Sequence, residues 1–179
     1  KPDTFKPLYG GMSGTPRQVA YYKAFLAKYS GIGKWQETLK TEAVTSKKVV
    51  LPSGREYLFP YARRLPGGYV AQTTNIVNYP VQGFATGDLV PLGIIAVRRL
   101  MRKYGVSSLL ILTVHASTEH DVVPGEEDIL QRIVAEGLLS LPEMCQEFYD
   151  WSFEFPLEVE TKLGKNWLDT KVLGVKKRG

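Results

Sequence analysis

The sequence predicts an α+β fold in which helices pack on a small antiparallel sheet. Several segments carry apolar residues at helical spacing, two pairs of β-rich runs are joined by tight turn signals, and the composition can fill a core. Of 179 residues, 44% are hydrophobic, with three Trp, ten Tyr and seven Phe, and 23% are charged. A chain of this size buries roughly two-thirds of its unfolded surface on folding, enough for one compact body.

In chain order, Lys1, Phe5 and Tyr9 recur every fourth residue and share one face of a helix over the first nine residues. After glycines at 10, 11 and 14, Thr15 is an N-cap with Pro16 in the first helical position. Val19, Tyr22, Phe25, Leu26 and Tyr29 then trace an apolar stripe that Gly31 can end. A second helix is expected over 34–43. Lys48 to Leu51 and Arg55 to Phe59 flank Pro52-Ser53-Gly54 as a small hairpin. Residues 60–74, rich in Pro, Gly and Arg, read as loop. Asp88 caps a long helix that tolerates Pro91 in its first turn, runs to about Lys103 and closes at Gly105. Ser108 to His115 and Ser117 to Val123 form a tight hairpin with His115 and Ala116 at its tip. Glu126, Glu127 and Asp128 open a helix, where acidic groups suit the positive end of the dipole. Another helix is expected over 141–151, and a returning strand from Phe155 to Leu163.

The formal charge of +5 and a pI near 9.2 favour polyanionic partners such as nucleic acid, although many proteins that bind none share this balance. Cys145 is the single cysteine, which rules out an intrachain disulfide and a CxxC metal site. Leu109 to Val114 is read as the longest apolar run, too short to span a bilayer, and no leader pattern is recognisable. The expectation is a cytoplasmic protein without a membrane partner. His115, His120 and Cys145 lack zinc-ligand spacing, and the glycines at 10 and 11 are followed by no Gly-Lys-Ser/Thr, so zinc-enzyme and P-loop classes are set aside.

Three constellations remain. Lys1, Phe5, Tyr9 and Gly10 set an ammonium, a ring and a phenol in line along one helical face. That arrangement suits a nucleoside triphosphate lying along the helix, with the cation at the phosphates and the ring against sugar and base. Asn78 and Gln82 bring two amides to the entrance of a long helix, where their mixed donors and acceptors can contact minor-groove edges of any base pair. Thr113 to Ser117 forms a hairpin tip. Taken singly, the first is an ordinary amphipathic face and the second is capping chemistry.

Together, and in this order, they resemble family A (DNA polymerase I-like) DNA polymerases. Those proteins have a Lys-x3-Phe/Tyr-x3-Tyr-Gly helix, an Asn-x3-Gln segment and a Val-His-Asp turn between strands. Thr4 to Gly11 is similar to phage members, and Pro156 to Glu160 with Gly164 to Trp167 resembles the family's terminal strand. The resemblance implies part of the fingers over 1–45 and a palm-like region over 46–179, containing the 108–123 hairpin and the terminal strand in one sheet. It implies that Lys1 grips the triphosphate and can protonate departing pyrophosphate, and that Phe5 packs on the incoming sugar. Tyr9 and Gly10 would gate the template base, and Asn78, Gln82 and His115 would contact primer and template. Lys6, Arg55, Arg63, Arg64, Arg98 and Arg99 are read as solvated surface charge.

The resemblance also implies DNA-templated DNA synthesis from dNTP with two Mg²⁺ ions held by two aspartates. One aspartate belongs upstream of Lys1. The other belongs at Ala116, whose methyl group offers a cation no oxygen. Ser117 stands where many members have a carboxylate. Glu119 lies roughly 6 to 7 Å along the strand, too far to substitute, and Asp121 falls on the opposite face. The chain is therefore expected to be a truncated, inactive part of a polymerase, located in the bacterial host cytoplasm if phage-encoded. Two rival readings are kept. One is a non-catalytic primer-template binder, or half of a split enzyme docking on a separate chain with the missing N-terminal portion. The other is a single-subunit RNA polymerase, against which the aromatic Phe5 argues.

Overall fold

The computed structural model describes residues 2–178, with side chains from Phe5 onward. Its contacts fall into two compact units, 1–84 and 85–179.

In the first unit, α1 (Pro2–Leu8) leads to α2 (Pro16–Lys28) through the glycine-rich turn. The cap of α2 is reciprocal: Thr15 Oγ1 accepts from the Gln18 amide at 3.3 Å, and Gln18 Oε1 accepts from the Thr15 amide at 2.9 Å. Of the expected stripe, only Tyr22 is fully buried, and the Lys6 ammonium lies 5.8 Å from its ring centre. Gly31 does not end this helix. The break falls at Tyr29, and α3 (Ser30–Ser46) is longer at both ends than the expected 34–43. Its buried face is Gln36, Leu39 and Ala43, and the polar first member of that stripe hides the period from a purely apolar count.

Strands β1 (Lys48–Val50) and β2 (Glu56–Leu58) pair antiparallel around Gly54, as expected, with Val49 opposite Tyr57. The 60–72 segment folds back on itself through an Arg64–Val70 bridge, with Gly67 and Gly68 both at positive φ in the turn. Leu39, Ala43, Val49, Phe59, Ala62, Val70 and Ile76 form the core of this unit.

The long helix starts earlier than the sequence indicates. Helix α4 (Thr73–Gln82) passes into a π-helical segment (Gly83–Leu89) and then α5 (Val90–Tyr104), capped at Gly105 in the left-handed conformation. Asp88 is therefore no N-cap; it is buried inside the π segment. Pro91 lacks an amide hydrogen, and its ring excludes the carbonyl four residues back. The ladder approaching it runs in the wider i→i+5 form. Thr73–Tyr104 is by length and composition apolar enough to cross a membrane. The sequence reading of Leu109 to Val114 as the longest apolar run missed it, because π and α pieces were not joined. Its α5 part, however, buries Leu92, Ala96, Val97 and Met101 among protein side chains and exposes Arg98, Arg99, Arg102 and Lys103.

In the second unit, α5 packs on α6 (Glu127–Leu139) and α7 (Leu141–Tyr149). Val97, Met101, Leu130, Ile133 and Val134 fill one cluster, and Leu92, Ala96, Met144 and Cys145 another. Strands β3 (Leu109–Val114) and β4 (Ser117–Asp121) form the expected hairpin, with an irregularity between Leu110 and Leu112. The terminal strand does not join them. Instead β5 (Leu157–Gly164) pairs with β6 (Thr170–Arg178), and among the described residues the three antiparallel pairs are separate sheets. Strand β6 was not apparent from sequence because Lys171, Lys176, Lys177 and Arg178 interrupt its apolar alternation. The hairpin closes where Asn166 Oδ1 accepts from the amides of Leu168 and Asp169, each at 2.9 Å.

Helices α5 and α6 approach closely at Gly137, where an added Cβ would come within 2.9 Å of the Val97 backbone. Gly137→Ala is expected to destabilise the chain by about 1–3 kcal/mol, because backbone cannot yield as a side-chain end can. Thermal unfolding checks this, at roughly 2–4 °C per kcal/mol for a chain of this size.

Candidate functional site

The site residues of the first unit come together at the end of α1. Phe5 and Tyr9 stack, their ring centres 6.4 Å apart and their planes at 16°, and Phe5 is half exposed. This is the consequence of their four-residue spacing. Lys1, the proposed phosphate cation, lies outside the described residues. Beyond α1 the chain turns sharply: the Gly10 amide donates to Pro7 O at 3.2 Å and the Gly11 amide to Lys6 O at 2.8 Å. Gly10 sits at φ +73°, and a Cβ there would meet Thr73 Cγ2 at 2.8 Å and Val77 Cγ2 at 3.3 Å. Glycine is needed for both reasons, and the Tyr9-Gly10 turn thereby rests against the helix that carries Asn78 and Gln82.

A buried residue that sequence reasoning missed fixes this turn. The Gln36 side chain donates from Nε2 to Pro7 O at 2.8 Å and Leu8 O at 3.0 Å, reaching carbonyls at the end of α1 from within α3. Its signal was a Gln at a core-facing position of an amphipathic helix. Helix α4 is held from its other side: the Tyr79 ring lies 6.3 Å from Tyr57 and 6.4 Å from Phe59. Gly83 closely abuts the Tyr57 hydroxyl, where a Cβ would overlap it. Asn78 and Gln82 stand within α4 rather than at a helix entrance. Asn78 Oδ1 is buried with no hydrogen-bond partner, the one such side-chain atom besides His120 Nδ1 among the described residues. An acceptor left in this condition costs free energy unless a donor arrives.

The second unit carries the hairpin tip. His115 adopts φ +53° in the two-residue turn and is exposed, as is Ala116. Ser117 Oγ lies 3.0 Å from Val114 O and 2.9 Å from Glu119 Oε1, so its hydroxyl is spent within the hairpin. The base of the hairpin is tied by Glu126, whose carboxylate accepts from the Ser107 and Ser108 amides and the Ser108 hydroxyl at 2.6–3.0 Å. Ser108 Oγ in turn accepts from the Val123 amide at 3.0 Å. These bonds, the Ser107 amide first, hold the Glu126 carboxyl below the usual carboxylate range. Burial holds His120 below the ordinary histidine range, with Glu119 opposing weakly.

The sequence matches DNA polymerase family A over residues 15–169. The chain belongs to that family. It is 28% identical over 156 residues to the thermostable DNA polymerase I of Thermus thermophilus, covering 86% of this chain and 17% of that protein. It is 30% identical over 95 residues to DNA polymerase I of Caldicellulosiruptor bescii, covering 53% and 10% respectively. The chain thus spans a small part of the curated relatives it matches. Among solved structures, the POL domain of Pol1 from M. smegmatis, in complex with DNA primer-template and dNTP, shares the fold at TM-score 0.60 and 20% identity, over 72% of this chain and 23% of that one. The family match contains Asn78, Gln82, His115 and Ala116, while α1 and the Tyr9-Gly10 turn precede it.

Family A polymerases generally use Mg²⁺. The residues present here do not fit that ion. Ala116 supplies no oxygen, the nearby Glu119 carboxylate is engaged by Ser117, and no group of three His, Cys, Asp or Glu side chains that could hold a metal occurs among the described residues.

Two outcomes follow. Gln36→Ala removes the side-chain donor from Leu8 O and leaves Pro7 O with the Gly10 amide alone, and is expected to lower stability by about 1–3 kcal/mol, read from urea unfolding. Because Glu126 has a depressed folded pKa, its contribution is complete above the unfolded carboxylate pKa and is lost as pH falls through the lower folded value. The stability gap between the parent chain and Glu126→Gln should be widest near neutrality and shrink in acid; a gap independent of pH would contradict the assignment.

Proposed function

We propose that this chain supplies incoming-nucleotide and primer-template contacts of a DNA-templated DNA polymerase. In the complete enzyme the primer 3′ oxygen forms a bond to the α-phosphorus of a dNTP and pyrophosphate leaves. The observation that carries the reading is the stacked Phe5–Tyr9 pair ending at Gly10, which packs on the helix bearing the partnerless Asn78 Oδ1. In this reading Phe5 meets the incoming sugar, and Lys1 meets the triphosphate and can protonate the pyrophosphate. Tyr9 and Gly10 gate the template base. Asn78 and Gln82 contact minor-groove edges, with Asn78 Oδ1 accepting from a group that the nucleic acid or its hydration brings. His115, held outward by its turn, contacts the primer. Residues 1–45 belong to fingers and 46–179 to palm.

The same helix face excludes some chemistry. An aromatic at position 5 favours deoxyribonucleotides over the substrates of an RNA polymerase. With Ala116 at the hairpin tip the chain has no carboxylate to hold Mg²⁺ there, which favours a second reading: a primer-template binding module, or half of a split polymerase whose other chain carries the first aspartate. Under either reading the isolated chain does not polymerise.

Fluorescence anisotropy with a recessed primer-template, blunt duplex and single strand across a salt series tests the common element of both. Preference for the recessed junction, weakened by salt through counterion release, is expected. Asn78→Ala should reduce that preference by about fivefold to a hundredfold, the cost of one lost minor-groove contact. Equal weak binding to all three substrates would sink the reading.

A further inference from the structure

We propose that a cleft in the first unit, lined by Lys47, Tyr61, Arg63 and Gln72, binds single-stranded nucleic acid: Lys47 and Arg63 take a phosphate, and a base stacks on Tyr61. The proposal rests on the nucleic-acid reading above but concerns residues outside the constellations that carry it. The cleft, of about 390 Å³, is walled by the 60–63 segment and the residues just before α4. Two cations line it and no carboxylate does.

The two neighbouring arginines have opposite surroundings. Arg64 is already engaged at the surface, 2.9 Å from Glu37 Oε1 and 3.2 Å from Thr41 Oγ1. Arg63 is exposed, with no hydrogen bond or ion pair for its side chain among the described residues. Lys47 donates from Nζ to Ala62 O at 2.6 Å, which fixes the ammonium at the cleft wall and leaves two donors for a phosphate. Tyr61 is 77% exposed, an aromatic surface with room for a base.

The backbone points the same way. Four described non-glycine residues have positive φ, and two of them, Lys47 at +59° and Gln72 at +63°, line this cleft. Gln72 precedes α4 without capping it by its side chain, so the helix begins here with the positive end of its dipole uncompensated. Cations without carboxylates, next to an exposed ring, match a phosphodiester bearing a base, and because every base has a π-face such a site tolerates any sequence.

The test uses the complete 179-residue chain with labelled oligo(dT), a recessed primer-template with a long single-stranded overhang, and the same duplex with a minimal overhang. Arg63→Gln and Tyr61→Ala change exposed side chains, and unchanged circular dichroism and melting establish that both fold. Each is expected to weaken oligo(dT) and long-overhang binding by about fivefold or more. Arg63→Gln should also reduce the salt slope for oligo(dT) by about 0.7. Binding to the minimal-overhang duplex should stay as in the parent. Inorganic phosphate or a mononucleotide displacing oligo(dT) at micromolar concentration would show a small-anion site and overturn the single-strand assignment. Unaltered oligo(dT) binding in both folded variants would also overturn it, while leaving a junction preference intact. Loss of junction preference in the parent chain would instead count against the polymerase reading.

Discussion

The constraint on which both units depend is the hydrogen-bond ladder of Thr73–Tyr104, a helix interrupted by two prolines. Pro80 is buried inside α4 and Pro91 begins α5, and the ladder between them loosens into seven residues of π-helix. Each regular piece serves the core of its own unit. Ile76 and Val77 are fully buried from α4, and Val97 is fully buried from α5, with Leu92, Ala96 and Met101 around it. Without the π segment the ring of Pro91 would meet a carbonyl in the preceding turn, so the irregularity is the local solution to a fixed sequence.

Around α4 the first unit is assembled by close approaches in which polar groups and glycines take part. Gly10 lets the Tyr9 turn reach Thr73 and Val77, Gly83 lets Tyr57 reach the helix, and Gln36 supplies the donors that the end of α1 lacks. These contacts orient the stacked pair and the amide helix with respect to one another. Asn78 Oδ1 is left without a partner within that arrangement. In the second unit, the Glu126–Ser108–Val123 bonds close the base of a hairpin whose strands remain largely open. Leu109, Ile111, Leu112 and Val114 are all exposed.

At residue 116 the family match meets a side chain that offers a cation no oxygen. The turn that presents His115 is intact, with its positive φ and its hydroxyl-bonded shoulder at Ser117, but the side chain beside it is a methyl group. In the proposed reading, recognition of nucleic acid rests on amides, rings and cations. Holding a divalent ion depends on oxygens at about 2 Å, which Ala116 does not provide. The two capacities rest on different groups and are physically separable.

Sequence by itself determined the family, the mixed helix and hairpin composition, the capped start of α2, the 109–121 hairpin and the spacing that stacks Phe5 on Tyr9. All of these follow from local rules: periodicity, capping chemistry and turn residues acting within a few positions. It did not reveal that α3 reaches from Ser30 to Ser46, that the long helix begins at Thr73, or that β5 pairs with β6. Those outcomes depend on buried Gln36, on joining two helical pieces across a π segment, and on a charged strand whose pairing is set by its neighbour. Only the tertiary structure placed Gly10 against α4, isolated Asn78 Oδ1, and put Lys47 and Arg63 in one cleft while pairing Arg64 with Glu37. Each of these is a relation between residues far apart in the chain, fixed by steric fit and hydrogen-bond satisfaction that no local spacing encodes.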